Sequence, residues 1–124
     1  MTDQEFNALC GSLPGTSHVV QWGGSDVWKV GGKVFAIGGW SNTNHPAFTF
    51  KTSKQNFDFL NAHAGYRPAP YLAARGLKWI QQYDAPASED RELDYYVKES
   101  YRIVSLSLSK KKQKSLGLNQ NLQT

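Results

Sequence analysis

The sequence predicts a single α+β domain, in which an antiparallel sheet carries its helices mainly on one face. Four short β-type segments follow one another between residues 18 and 51, and the turns between them are too short for a parallel crossover. Helical patterns lie before and after these segments, an arrangement typical of α+β domains. The expected order is α-β-β-β-β-α-β-α, with about five strands and three helices.

The first helix is predicted from a capping box and an apolar stripe. Thr2 and Glu5 have the spacing of the box, and the helix should end near Ser12. Phe6 and Cys10 lie on the stripe, so we interpret the lone cysteine as a buried apolar residue that forms no internal disulfide. Strands are then expected at 18–22, 26–30, 33–40, 46–51 and 77–83.

Two further helices complete the predicted domain, which spans residues 1–114. Ser53 or Thr52 caps the second helix, and residues 65–76 form an irregular connection after it. The last helix is expected from Ser88 to about Lys114, with acidic residues first and basic residues last, the order that the helix dipole favours. Residues 115–124 are expected to form a flexible polar tail.

Composition limits the class of protein. The chain has 124 residues, of which 40% are hydrophobic and 13% aromatic, and these values are typical of a globular domain. No apolar run reaches the roughly 18 residues of a membrane span, and the N-terminus lacks a signal-peptide pattern, so a cytoplasmic location is expected. The three histidines are far apart and the single cysteine stands alone, so we expect no metal site, no cofactor and no enzymatic activity.

Charge is strongly segregated along the chain. The net charge is +4, but residues 27–83 carry +6 and residues 100–124 carry +5, whereas residues 1–26 carry −3 and residues 84–99 carry −4. This asymmetry favours an anionic partner for the middle or the end of the chain, and a solvated basic surface is the alternative.

The Gly-Gly-Lys at 31–33 is better explained by a turn than by a phosphate loop. A P-loop needs Ser or Thr after its lysine and a helix after that, whereas Val34 follows Lys33 and continues a strand pattern. Gly31 and Gly32 therefore form the loop of a β-hairpin, because glycine supplies the positive φ of primed turns.

A two-residue loop fixes the strand register. The predicted pairs are Val30 with Lys33, Lys29 with Val34, Trp28 with Phe35, and Val27 with Ala36. One face then carries bulky apolar side chains that must meet the helices: Trp28, Val30, Phe35, Ile37, Phe48 and Phe50. The other face carries smaller side chains with Lys29 and Lys51, and we interpret it as a platform for an anion or a nucleic-acid backbone.

Several motifs together resemble the MmcQ/YjbR family over about residues 5–112. They are LPGT (13–16), KVGGKVFA (29–36), FKT (50–52), PAPYLAARGLKWI (68–80) and SYRIV (100–104). The resemblance implies a compact CyaY-like α+β domain that binds DNA through a double-wing arrangement. It points to Lys33, Phe35, Lys51, Arg75 and Trp79. Many relatives have histidine where this chain has Tyr71, and this difference argues against a catalytic or ligand role there.

Two functional hypotheses follow. The first is a non-enzymatic nucleic-acid-binding domain with DNA as its partner, in which Trp79 or Trp40 stacks on bases and the following residues contact phosphates: Lys29, Lys33, Lys51, Lys54, Arg67, Arg75 and Lys78. The second is a small-ligand or protein-interaction domain that uses a groove formed by residues 65–76, with Tyr66, Tyr71 and Arg75. We interpret the lysines at 110–114 as a solvated helix end, with a contact to a nucleic-acid backbone as the alternative.

Overall fold

The computed structural model describes residues 1–39, 46–70, 72 and 76–120. Its elements, in chain order, are α1 (Asp3–Ser12), β1 (Thr16–Gln21), β2 (Ser25–Val30), β3 (Lys33–Gly38), β4 (Phe48–Lys51), α2 (Lys54–Asn61), β5 (Tyr66–Pro68), β6 (Trp79–Gln82), α3 (Asp90–Leu106) and α4 (Lys110–Leu116). The described strands form one antiparallel sheet in the order β1-β2-β3-β4-β6-β5, which confirms the predicted α+β class.

The predicted order of elements is present, with two additions. Residues 66–68 were expected in an irregular connection but form the edge strand β5, which pairs with β6. The last helix is interrupted after Leu106, so the prediction of one helix from Ser88 to Lys114 is wrong. The Ser107 hydroxyl donates a hydrogen bond to the Val104 carbonyl at 2.6 Å. Serine side chains that bond the local backbone in this way compete with the helix, which explains the interruption.

Residues 115–120 are part of the folded domain, which corrects the expectation of a loose tail from residue 115. The helix α4 ends at Leu116, and Gly117 closes it in the left-handed conformation with φ 70°. Leu118 then returns to the core, where it is only 5% exposed. The remaining residues of the predicted tail, 121–124, lie outside the described residues.

The hairpin confirms the predicted register next to the loop and departs from it two residues later. Gly31 and Gly32 have φ of 58° and 86°, as a primed turn requires. Lys29 pairs with Val34 as predicted, but Trp28 then pairs with Ala36 instead of Phe35. This shift is a β-bulge, in which one strand contributes an extra residue.

The bulge changes which side chains share a face. Ala36 packs in the core between the sheet and the helices. Ile37 pairs with Val27 and lies outside this core, on the opposite face of the sheet. The predicted assignment of Ile37 to the helix side and of Ala36 to the opposite side is therefore wrong. Phe48 and Phe50 do face the helices, as predicted.

The core lies between the sheet and the helices α1 and α3. Phe6 contacts Phe48 with ring centroids 4.8 Å apart, and Phe50 stacks on Tyr96 at 5.8 Å. Each fully buried phenylalanine contributes about 1.5–3 kcal/mol, so these aromatics dominate the stability of the domain. Cys10 is also fully buried, and burial raises the pKa of its thiol, which agrees with an apolar structural role.

One serine of α3 ties the helix to the bulge. The Ser100 hydroxyl donates to the Phe35 carbonyl at 2.6 Å and accepts a hydrogen bond from the Lys51 N–H at 2.8 Å. The regular pairing of β3 with β4 stops one residue earlier, at Ala36 and Phe50. Ser100 therefore bridges the two strands where their own ladder ends, and this bridge positions α3 across the sheet.

Candidate nucleic-acid interface

Antiparallel pairing brings basic residues from several strands to one end of the sheet. The Gly31–Gly32 loop marks this end, which we call the hairpin end, and Lys29 and Lys33 flank the loop. Because β4 runs antiparallel to β3, it finishes at the same end with Lys51, and β6 starts there with Trp79. Lys29 and Trp79, which are 50 positions apart in the chain, therefore lie at the same end of the sheet.

Two more lysines belong to this end through the connections of β4 and β6. The carbonyl of Lys78 accepts a hydrogen bond from the N–H of Thr52 at 2.8 Å, and the Lys78 ammonium lies 5.0 Å from the centre of the Phe57 ring. Lys54 begins α2 and forms an exposed ion pair with Asp58 at 3.0 Å. Such an exposed pair is weak, so Lys54 can exchange Asp58 for another anion at little cost.

The helix α4 adds four exposed lysines to the hairpin end. Leu108 and Leu116 lie against Gly31, where an added Cβ would be 2.6 and 3.3 Å from their methyl groups. Lys33 extends its ammonium toward the Ser107 carbonyl at 3.4 Å, beside the end of α3. The lysines that α4 brings here are Lys110, Lys111, Lys112 and Lys114.

The position of these lysines corrects their interpretation as the end of a long helix. Three of them occupy the first turn of α4, where the partial positive charge of the helix dipole makes cations unfavourable. The cap of this turn is Ser109, whose hydroxyl accepts a hydrogen bond from the Lys112 N–H at 3.1 Å. The dipole therefore does not explain the lysine run, and the Ser-Leu-Ser at 107–109 was the sequence signal for the new helix start.

We call the resulting surface the basic end. It consists of Lys29, Lys33, Lys51, Lys54, Lys78, Lys110, Lys111, Lys112 and Lys114. Two carboxylates lie on neighbouring helical segments, and each has a local basic partner. Asp58 pairs with Lys54, and Glu99 forms a 2.6 Å contact with Arg102, which raises the pKa of that guanidinium.

Acidic residues gather at the opposite end of the molecule, where α3 begins. Asp90 accepts from the N-terminal ammonium of Met1 at 2.6 Å, and Glu89 contacts His63 at 2.8 Å. The acidic residues in or near the first turns of α1 and α3, or in the turn after β6, are Asp3, Glu5, Asp84, Glu89, Asp90, Glu92 and Asp94. The segregation of charge along the sequence is thus also a segregation in space.

The sheet face opposite the helices differs from the expected open platform. A row of paired residues crosses it, and four of them are almost completely buried: Val27, Ile37, Thr49 and Gln81. At the β5 edge of this row, Arg67 donates two hydrogen bonds to Gln81 at 2.7 and 3.0 Å, and Gln81 donates to Thr49 at 3.2 Å. The row is therefore internally bonded and offers few polar groups to a partner.

The predicted site residues on this face differ in accessibility. Lys29 and Lys51 are half-buried, and each can extend its ammonium toward solvent. The Arg67 guanidinium lies 4.6 Å from the centre of the Tyr83 ring, in addition to its bonds to Gln81. Trp79 is only 8% exposed, which leaves little of its ring for stacking on a base. Arg75 and Trp40 lie outside the described residues.

The alternative hypothesis named three residues of a groove at 65–76, and the structure describes one of them, Tyr66. Tyr66 is buried and lines a cavity at the acidic end, and burial raises the pKa of its phenol to about 12. Tyr71 and Arg75 lie outside the described residues. The other residues around this cavity were not predicted from the sequence, because α2 and α3 bring them together from distant parts of the chain.

Two other features are absent from the described part of the chain. No group of three or more histidine, cysteine or carboxylate residues there is arranged to hold a metal ion. None of the described helices is long and apolar enough to cross a membrane.

Comparisons with known proteins identify similar chains. A family model described as YjbR matches residues 11–103. The Deinococcus radiodurans protein DR2400, whose domain is described as DUF419, has a crystal structure similar to this chain, with a TM-score of 0.79 and 22% identity over 94% of this chain and 88% of that one. A protein from Pseudomonas syringae is similar with a TM-score of 0.62 and 16% identity, over 84% of this chain and 99% of that one. Comparison with curated proteins gave no match.

Proposed function

The chain belongs to the YjbR family, and we propose that it is a non-enzymatic domain that binds DNA through the phosphate backbone. The basic end is the binding surface. The observation that carries this proposal is the convergence of nine lysines at one end of the sheet, while most carboxylates lie at the other.

The charge arrangement favours a polyanion over a small anion. The lysines come from the hairpin, two further strands or their connections, α2 and α4, so they spread over a surface instead of enclosing a pocket. Exposed lysines act as point charges that contact phosphate without reading base sequence. A separation of positive and negative ends also orients the molecule as it approaches DNA, which raises the rate of productive encounters.

The spacing of the strand lysines suits a nucleic-acid backbone. Lys29 on β2 and Lys51 on β4 are separated by β3, so two interstrand spacings place their backbones about 10 Å apart. Phosphates on one strand of DNA rise about 3.4 Å each along the helix axis, so two such lysines span about three phosphates. We therefore assign phosphate contacts to Lys29, Lys33, Lys51 and Lys78 first, with α4 as a second group.

The proposed binding needs no enzymatic chemistry from the chain. The only thiol is buried, and burial raises its pKa, so Cys10 is a poor nucleophile. Contact between a lysine and a phosphate needs no paired acid and base.

Fluorescence anisotropy with a labelled duplex of about 25 base pairs tests the proposal. If four phosphates are neutralised, the log–log salt slope should be about −3.6, which is a loss of about 150-fold in affinity between about 50 and 200 mM salt. The double variant Lys29→Gln, Lys51→Gln should reduce the slope to about −1.8.

The control makes the same change in charge on α3, outside the basic end. Arg91→Gln with Lys98→Gln removes two positive charges from α3, among the acidic residues. This control should bind like the wild-type chain. Equal losses in the two double variants, or binding that ignores salt, would contradict the assignment of the basic end.

A further inference from the structure

A small cavity opens at the acidic end, remote from the basic end. It lies between α2, β5 and the beginning of α3 and has a volume of about 220 Å³. Its lining residues are Phe59, Leu60, His63, Tyr66, Glu89, Glu92 and Tyr96. This volume is below that of drug-sized sites, so it suits a ligand of few atoms.

Two carboxylates, Glu89 and Glu92, line the cavity, and one oxygen of Glu89 lacks a partner among the described residues. The Oε1 atom of Glu89 lies 2.8 Å from Nε2 of His63, and because a carboxylate can only accept, the histidine must donate there. The other oxygen, Oε2, is buried and has no hydrogen-bond partner among the described residues. A buried acceptor in this state is costly. The Glu89 side chain is 24% exposed, so a small rotation of this side chain brings Oε2 to the cavity wall, where a donor from a ligand removes the cost.

The walls of the cavity are aromatic. His63 lies between Phe59 and Tyr66, with ring centroids 5.5 and 5.2 Å away. Tyr96 adds a third benzenoid ring to the lining. Faces of such rings attract cations through their quadrupole, and the attraction grows when the cation is desolvated.

We propose that this cavity binds a small primary ammonium compound, with the N–H groups bonded to Glu89 and the alkyl chain against the aromatic rings. A cation suits the two carboxylates, Glu89 and Glu92, and the aromatic rings. A primary ammonium supplies the donor that Oε2 needs, whereas a quaternary ammonium has no N–H to give.

The surrounding phenols support the assignment. Tyr66 accepts a hydrogen bond from Gln82 at 2.9 Å, and burial raises its pKa to about 12, so it stays neutral while a ligand is present. Burial likewise raises the pKa of Tyr96. The two rings therefore keep their neutral form across the pH range in which an alkylammonium is charged.

The test uses the full chain labelled with nitrogen-15, with n-butylammonium chloride as the probe. Titration to about 20 mM should move the amide resonances of residues 59–66 and 89–96 and leave those of Lys29 and Lys111 in place. A dissociation constant of a few millimolar or tighter is expected for a ligand of this size. Tetramethylammonium should bind at least fivefold more weakly, and sodium butyrate should not bind at this site.

Two variants connect the binding to the cavity. Glu89→Gln should weaken n-butylammonium binding at least tenfold, whereas Glu99→Gln, which alters a carboxylate on the same helix that pairs with Arg102, should not change it. Phe59→Leu at the rim, where the side chain is 55% exposed, should weaken binding about threefold without affecting folding. Equal affinity for the primary and quaternary cations, equal effects of the two glutamate variants, or no resonance shifts with n-butylammonium would overturn the proposal.

Discussion

The replacement Ser100→Ala tests how the hairpin end is held to the helices. Ser100 is fully buried, and its hydroxyl both donates to the Phe35 carbonyl and accepts from the Lys51 N–H. Alanine leaves both backbone groups without this partner, and each unsatisfied buried group costs about 1–3 kcal/mol. The two costs sum to about 2–6 kcal/mol. Because Lys51 is half-buried and water can reach part of it, we expect a loss of about 3 kcal/mol in the free energy of unfolding, in the lower half of this range.

Urea denaturation followed by circular dichroism measures this loss, and the same helix provides a matched control. Ser105 is also buried, but its hydroxyl donates to the Arg102 carbonyl three residues earlier and accepts from the Asn119 side-chain amide, which keeps a second acceptor in Gln113. That carbonyl lies inside α3, where the helix ladder supplies another donor, so Ser105→Ala should cost less than about 1 kcal/mol. If the two variants lose the same stability, the account of Ser100 as a bridge between β3 and β4 is wrong.

The remaining predictions concern the loop and the lysines of α4. Gly31→Ala should cost about 2–4 kcal/mol in urea denaturation, from its left-handed φ and the 2.6 Å approach of Leu108. Gly32→Ala, at a similar φ but with open space around it, should cost only about 1–2 kcal/mol, and equal costs would contradict the contact with Leu108. Replacing Lys110, Lys111 and Lys112 by glutamine should leave stability unchanged or slightly raised, because cations are unfavourable in a first helical turn. If α4 contacts three phosphates in addition to the four assigned to the strand lysines, the wild-type salt slope should be about −6.3 and the same variant should reduce its magnitude by about 2.7, and an unchanged slope in anisotropy would remove α4 from the interface.

Local sequence signals predicted the parts of the fold that depend on neighbouring residues. The Gly31–Gly32 loop set the register of the pairs beside it, and the capping box at Thr2 set the start of α1. The bulge was not predictable from alternation, because alternation does not locate an extra residue, and the hydrogen bond to the Phe35 carbonyl comes from Ser100, 65 positions away. The apolar stripe ran on through Leu108 and concealed the end of α3, although Leu108 in fact packs on the hairpin loop.

The sequence predicted which segments of the candidate interface are basic, but not where the fold brings these segments together. Counting charges identified the middle segment and the last helix as basic. Strand alternation then assigned Lys29 and Lys51 to a face, whereas the direction of the strands groups them with Lys33 and Lys78 at an end. The interactions of Arg67 were likewise not predictable from the sequence, because its hydrogen bonds to Gln81 depend on the pairing of β5 with β6.

The most direct test of the basic end is a map of the residues that DNA contacts. Titration of the nitrogen-15-labelled chain with an unlabelled duplex at low salt should shift the amide resonances of residues 29–33, 51–54 and 110–114 and leave those of residues 89–96 unchanged. Shifts concentrated around α2 and the start of α3, with the hairpin unaffected, would contradict the account.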